Sequence, residues 1–277
     1  MLKQRVITAV LLLAVLLPAL FYPSPEPFCA VALLLIGAAG WEWARLNGCG
    51  PWLSVVAGVL LGALLAGLWW QVGLDHLTPG LWQVVGVVWV LVAAGLLRTG
   101  VQGWSAWPRA LRLWGGWGLI GLAWWAMAQA RYQGVDLLLS AMALVWMADI
   151  AAYFGGKTWG RRKLAPAISP GKSWEGVYTG VVGVLCLGAV WVWAEGHWGF
   201  PATSLYGRLW GAGPVTAVIG LLFLAAMSVA GDLVESLVKR SAGVKDSSGL
   251  LPGHGGVLDR VDALLPVLPL AMMLVSH

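Results

Sequence analysis

Charge is what this sequence lacks. Only 29 of its 277 residues are Asp, Glu, Lys or Arg, about 10% against roughly 25% in an ordinary globular domain. So few ionised groups cannot coat a water-soluble globule of this length, and the solvent for most of the surface is lipid. Cysteine is scarce as well. Cys29, Cys49 and Cys186 are odd in number, scattered, and set in or beside apolar stretches, which argues against a disulfide framework and against a cysteine-based zinc site. No repeat with a period of 20–50 residues is present. Low-complexity disorder is excluded by 20 Trp residues, because disordered chains are poor in aromatics.

What is present is a series of charge-free runs, at 6–25, 28–41, 51–74, 80–97, 113–130, 137–148, 176–194, 211–231 and 263–276. About 20 apolar residues cross a hydrocarbon core of roughly 30 Å. The pattern predicts an all-α, polytopic membrane bundle of about nine transmembrane helices. Residues 1–130 carry about five spans and residues 131–277 about four. The first run follows Lys3 and Arg5 and reads as a retained anchor, since Pro23-Ser24-Pro25-Glu26-Pro27, not a small-residue cleavage site, comes after it. With the N-terminus in the cytoplasm, 15 of the 17 Lys and Arg fall on the cytoplasmic side and only Arg131 and Arg208 outside, a strong positive-inside bias. The C-terminus, His277, is then external. Trp69, Trp70, Trp124, Trp125, Trp191 and Trp193 lie at segment ends and read as interfacial anchors.

Chemistry concentrates in two cytoplasmic connections, 157–175 and 232–262, which hold 15 of the 29 charged residues. Before the first, Asp149, Ala152, Tyr153 and Gly156 share one helical face. A carboxylate inside an apolar run normally faces a cavity or a partner. Arg161-Arg162-Lys163 reads as a headgroup-binding cluster. In Ser169-Pro170-Gly171-Lys172-Ser173, Pro170 and Gly171 break the backbone before a helix starting at Ser173, and Lys172 there would favour an anion. A P-loop is rejected, because Pro166 stands where its first Gly is required and no strand is expected upstream.

In the second connection, Asp232, Glu235, Ser236 and Lys239 fall on one helical face, a pattern that simple Glu235–Lys239 pairing at i, i+4 would also explain. Lys245-Asp246, Pro252-Gly253-His254-Gly255-Gly256 and Asp259-Arg260-Val261-Asp262 follow. Three carboxylates, two cations and a Gly-rich bend within 18 residues suit a hard cation whose shell phosphates complete. This chemistry is phosphoryl or nucleotidyl transfer on a lipid, or cation transport. Transport is disfavoured, because only Asp149 and Glu42 lie even partly within apolar runs.

The stretch Ser236-Leu-Val-Lys239-Arg240 through Lys245-Asp246, Pro252-Gly253-His254-Gly255-Gly256 and Asp259-Arg260-Val-Asp262 resembles the signature of the phosphatidate cytidylyltransferases, over 27 nearly continuous residues. Asp149 to Gly156 with Ile168 to Gly176 resembles a second block of that family, and Trp41-Glu42-Trp43 is a weaker match. The resemblance implies that CTP and phosphatidic acid give CDP-diacylglycerol and pyrophosphate with Mg²⁺, the number of cations being left open. It implies a homodimer in the bacterial inner membrane, among membrane lipids, with its active site cytoplasmic and no nucleic-acid partner. It also makes Asp246 and Asp259 the first choices as metal ligands, with Asp232 and Asp262 second. Lys172, Lys239, Arg240, Lys245 and Arg260 would hold triphosphate or lipid phosphate, with Ser169, Ser173 and Ser236 as secondary contacts and His254 as a phosphate contact. Asp246, Asp259, Lys245, Arg260 and Lys172 would carry the catalytic work. Another lipid nucleotidyl or phosphoryl transferase, or a Mg²⁺ or proton-coupled transporter, is the alternative. The Asp-x2-Asp-Gly-x2-Ala-Arg pattern of the CDP-alcohol phosphotransferases is missing.

Overall fold

A computed structural model describes residues 2–276 except Leu77 and Ala202. Without water in a bilayer core, each backbone N–H and C=O must find its partner inside the chain, and helix is the local solution. The chain folds as α1 (Leu2–Phe21), α2 (Glu26–Leu46), α3 (Pro51–Val72), α4 (Pro79–Ala106), α5 (Arg109–Gln133) and α6 (Val135–Trp159). A hairpin of β1 (Lys163–Ala165) and β2 (Ser169–Ser173) follows, then α7 (Trp174–Trp198), α8 (Leu205–Gly211), α9 (Pro214–Ser241), α10 (Leu258–Val261) and α11 (Leu264–Val275). Each of the nine apolar runs lies on a helix. Pro begins α3, α4 and α9, where its missing N–H leaves nothing unsatisfied.

Among the described residues, seven helices are long and apolar enough to cross a membrane: α1 to α4, α6, α7 and α9, which makes this an integral membrane protein. The other two runs differ physically. α5 has 25 residues but carries Arg109, Arg112 and Arg131 among its glycines and tryptophans. α11 has 12 residues, about 18 Å at 1.5 Å per residue. Its residues Leu264 to Met272 are all buried, so other helices surround it, not lipid. α4 is also interrupted. Gly100 has φ 68° and ψ −165°, a conformation open to glycine alone, and it redirects the last turn so that Trp104 packs inside.

Hydrogen bonds between elements sort the connections into two ends. At one end Thr8 donates to the Pro252 carbonyl (3.0 Å), Arg109 to the Asn47 carbonyl (3.1 Å), Ser241 to the Val101 carbonyl (3.0 Å) and Arg240 to the Ile168 carbonyl (3.3 Å). At the other end, Arg131 caps α1 through the carbonyls of Leu20 (3.0 Å) and Tyr22 (2.5 Å). Arg208 there donates to the Thr203 carbonyl (3.1 Å) and to Gln133. The two cations that depart from the charge bias are thus committed to helix ends and loops. The tryptophans divide likewise. Trp70 and Trp193 are exposed, as anchors should be, but Trp124 is fully buried and donates to the Cys29 carbonyl at 3.1 Å. The anchor reading fails for Trp124 because a buried indole N–H can take up a helix carbonyl. All three cysteines are free.

α6 and α7 touch through small residues. A Cβ on Gly180 would lie 3.0 Å from the Ala148 carbonyl, and one on Gly176 2.9 Å from that of Ala152, a close approach typical of small-residue seams. The hairpin corrects the expectation that no strand precedes Ser173. Lys163 pairs with Ser173 and Ala165 with Ser169 in antiparallel register. Glu175 pins its base, accepting from the backbone N–H groups of Arg161 and Arg162 at 3.1 Å each.

Candidate active site

β2 delivers Ser169, Lys172 and Ser173 to a cavity of about 530 Å³ bounded by α6, α7 and α9. Ser173 caps α7, accepting from the Gly176 N–H at 3.2 Å. Asp149, Tyr153 and Lys157 of α6 and Asp232 of α9 complete the polar part of the wall, while Val177, Val181, Ala225 and Val229 supply an apolar part. The predicted α6 face of Asp149, Ala152, Tyr153 and Gly156 therefore does line one cavity. Lys157 and Lys172 are its cations, and Lys172 Nζ is 2.5 Å from Asp232 Oδ2. Ser236, one turn further on, donates to Asp232 Oδ1 at 3.3 Å.

Asp232 and Glu235 do not act as one face. Glu235 turns inward and is buried, 2.6 Å from Lys239 Nζ, and the same ammonium donates to Asp259 Oδ1 at 2.6 Å. One cation thus serves two carboxylates. The other Asp259 oxygen accepts from Ser247 N–H (2.9 Å), Ser247 Oγ (2.9 Å) and Gly256 N–H (2.7 Å). Burial by itself would raise the Asp259 carboxyl, but the Lys239 and Gly256 hydrogen bonds outweigh it and hold the group below the usual carboxylate range.

Asp259 and Asp262 were expected together at the start of the ninth helix. α10 is instead a separate single turn, Leu258–Val261, with Asp262 as the residue that follows it. Asp259 joins Lys239 while Asp262 lies against α9: a Cβ on Gly231 would stand 2.7 Å from the Asp262 carbonyl. Asp262 Oδ1 accepts from the Ala263 N–H at 2.8 Å. Burial, and then the charge of Asp232, push its carboxyl up to about 7.

The remaining candidates sit on the connecting loop. Lys245, Asp246 and Arg260 are exposed. Asp246 and Asp259 flank Gly255, where a Cβ would lie 3.5 Å from Asp246 Cβ and 2.6 Å from Asp259 Oδ2. Arg240 is occupied in tying the hairpin to α9. His254 has a buried Nδ1 without a partner. Glu42 is a further residue of the site that neither signature block of the sequence marks. It is fully buried and accepts from Ser247 Oγ, Ser248 Oγ, Val257 N–H and Leu258 N–H. The signal was there, since an isolated carboxylate in an apolar run asks for a partner.

Among the described residues, no three His, Cys, Asp or Glu side chains converge into a ready-made metal cluster. A cation held here would take oxygens from phosphate as well as protein. The carboxylates with spare capacity suit that: Asp262 has one oxygen uncommitted and lies close enough to Asp232 for the two charges to oppose each other. Each Asp232 oxygen is engaged once, by Lys172 or Ser236, whereas Asp259 accepts four hydrogen bonds, three of them on one oxygen.

This division of labour runs through the C-terminal half, and the likeness to known proteins runs through the whole chain. Residues 3–277 match the model of the cytidylyltransferase family. The chain belongs to that family. It is 38% identical over 282 residues to the phosphatidate cytidylyltransferase of Pseudomonas aeruginosa, covering 97% of this chain and 95% of that protein. It is 36% identical to the enzyme of that name from Haemophilus influenzae, covering 97% and 96%. For the Brucella suis protein of the same name the identity is 33%, covering 95% and 89%. The likeness therefore includes α1 to α5, where sequence motifs were sparse.

Proposed function

We propose that this protein transfers the cytidylyl group of CTP to phosphatidic acid, giving CDP-diacylglycerol and pyrophosphate. The observation that carries the reading is the cavity in which Lys172 meets Asp232 above an apolar wall, beside the loop of the family signature. Such a cavity suits a lipid phosphate, whose head needs cations and whose glycerol end needs none. A phosphate oxygen of phosphatidate attacks the α-phosphorus of CTP. The bond from that phosphorus to the bridging oxygen breaks, and pyrophosphate leaves. A phosphomonoester has a second pKa of about 6, so the nucleophile is already largely dianionic at pH 7 and requires no strong base. The barrier is repulsion between two polyanions, and fixed positive charge lowers it.

Lys172 is placed to hold a phosphate in the cavity, with Ser169 and Ser173 as neighbouring hydroxyls. Lys245 and Arg260 are exposed cations available to the triphosphate. Lys239 is less available, because Glu235 and Asp259 already neutralise it, and its role here is to hold Asp259. Mg²⁺ would supply further charge neutralisation and alignment. We assign Asp232 and Asp262 as the side chains that would hold it, with Asp246 reaching in from the loop. Asp259, by its hydrogen bonds, orders that loop. This reverses the order of preference that the resemblance suggests.

We further propose nine crossings, a cytoplasmic N-terminus and an external C-terminus in a bacterial inner membrane, supported by the charge bias and by the two-ended sorting of the connections. A homodimer is proposed from the resemblance, and light scattering of the detergent-solubilised protein would test it. The decisive assay is transfer of label from α-labelled CTP, and not from γ-labelled CTP, into lipid in detergent micelles. Micelles have no sealed compartment, so turnover there also rejects transport. Label from the γ position would identify a lipid kinase instead.

A further inference from the structure

Glu42 is a buried carboxylate without a cation. No Lys, Arg or His lies within ion-pair distance of it among the described residues. An ionised group removed from water is costly unless hydrogen bonds replace its hydration. Four donors do so, all from one loop more than 200 residues away. Oε1 accepts from Ser248 Oγ (2.5 Å) and Val257 N–H (2.9 Å), and Oε2 from Leu258 N–H (2.7 Å) and Ser247 Oγ (3.2 Å). These donors come from the two ends of the segment that carries His254 and the glycines. Gly256 fits between them because any Cβ there would collide with the Glu42 carboxylate and the Ser247 hydroxyl.

Ser247 joins this clamp to the site. Its hydroxyl has one proton and lies between Glu42 and Asp259, nearer the latter (2.9 against 3.2 Å). The chain of contacts then runs from Glu42 through Ser247 and Asp259 to Lys239 and Glu235. We propose that Glu42 is a positioning residue for the transfer reaction: from α2 it fastens both ends of the loop, and so fixes where Lys245, Asp246, Asp259 and Arg260 stand relative to the Lys172 cavity. The inference rests on the proposed function for its kinetic consequence, but its structural consequence is independent of it.

Gln is the sharpest replacement. It keeps the size of Glu but offers one acceptor oxygen, so its amide N–H₂ must face either Val257 N–H or Leu258 N–H. The serines can rotate to accept; a backbone N–H cannot. One end of the loop should lift. In purified Glu42→Gln, kcat for CDP-lipid formation should fall on the order of 10–100-fold, the range expected for charge-assisted hydrogen bonds, with KM for phosphatidate within about threefold. Tryptic cleavage after the exposed Lys245, mapped by mass spectrometry, should quicken about tenfold while the melting temperature stays close to wild type. A kcat within twofold of wild type overturns the proposal. So does a fall in kcat with unchanged cleavage at Lys245, which would mean a merely structural loss of active protein. Should Glu42→Gln fail to fold, Ser248→Ala removes the shortest donor without touching α2. It should quicken cleavage at Lys245 and lower kcat severalfold, and no change in either overturns the proposal. If the wild-type protein makes no CDP-lipid, the functional reading fails, whereas the cleavage comparison still decides the clamp.

Discussion

At the scale of single residues, the proposed site divides into side chains assigned to a ligand and side chains that hold the others still. Lys172→Met removes the cavity cation that pairs with Asp232 and should lower kcat/KM by on the order of 10² or more. Arg260→Met should lower it as well. Arg161→Gln should stay within about twofold, because Arg161 uses only its backbone N–H in the fold and its side chain is exposed. Equal losses at all three positions, measured as CTP-dependent CDP-lipid formation, would erase the division between site and surface. Asp246→Asn should fold normally, since the side chain is exposed. Asp259→Asn should be destabilised as well as inactive, because an amide cannot accept from Lys239 and from three further donors; a group left unpaired there costs about 1–3 kcal/mol.

Asp262 gives a pH-dependent test. Its carboxyl moves from an ordinary value of 3.8 to about 7 in the fold. Between those values the folded protein binds more protons than the unfolded chain, so stability falls as pH rises through that window and the penalty is complete above it. In chelator at pH 8, Asp262→Asn should therefore melt a few degrees above wild type, at about 2–4 °C per kcal/mol for a chain of this size. The gap should vanish near pH 4. Added Mg²⁺ should raise the melting temperature of wild type at pH 8 and leave the Asn variant unmoved. An Asn variant no more stable than wild type at pH 8 would remove Asp262 from the cation site.

At the scale of elements, the seam between α6 and α7 sets the width of the cavity. Gly180→Val should force the helices apart at the Ala148 carbonyl, costing about 1–3 kcal/mol and lowering turnover, read by melting and by specific activity. Gly196→Ala, in α7 where a Cβ meets nothing, should do neither. The seven long apolar helices were legible because hydrophobicity at this length is a property of each segment alone. The hairpin was not. Its strands of 3 and 5 residues are too short and polar for an alternation to register, and they are set by pairing and by Glu175. The break between α10 and α11 was also hidden, since it depends on Asp262 packing against Gly231 from another helix. The cavity-facing side of α6 with Asp149, and the neighbourhood of Asp232 and Ser236, could be inferred from helical faces; the pairing of Asp232 with Lys172 could not. The turn of Glu235 away from Asp232 and the capture of Asp259 by Lys239 could not, because spacing along a helix does not say what stands opposite.

At the scale of the molecule, the remaining question is which side of the membrane each end of the bundle faces. The two ends differ in kind. The one formed by the start of α1, the end of α2, the hairpin and the signature loop carries the cavity and nearly all of the Lys and Arg. The other carries Arg131, spent on the end of α1, and Arg208, spent on the Thr203 loop and Gln133. Under the proposed topology, positive-inside insertion would put the site in the cytoplasm, on the side of CTP. Nine crossings require α5 and α11 to span the membrane although neither is a long, strongly apolar helix. α5 is long enough at about 38 Å and its Arg groups sit near its ends. α11 is sheltered by α4, α5 and α9, so the bundle, not the lipid, carries its short span. Reporter fusions after Trp159 and after Ser248 should both read as cytoplasmic, and one after His277, which lies outside the described residues, as external. If α11 turns back without crossing, the His277 fusion will read as cytoplasmic and the count becomes eight, with the site unchanged. An external Ser248 fusion would place the signature loop on the side without CTP, and the proposed chemistry would fall with the topology.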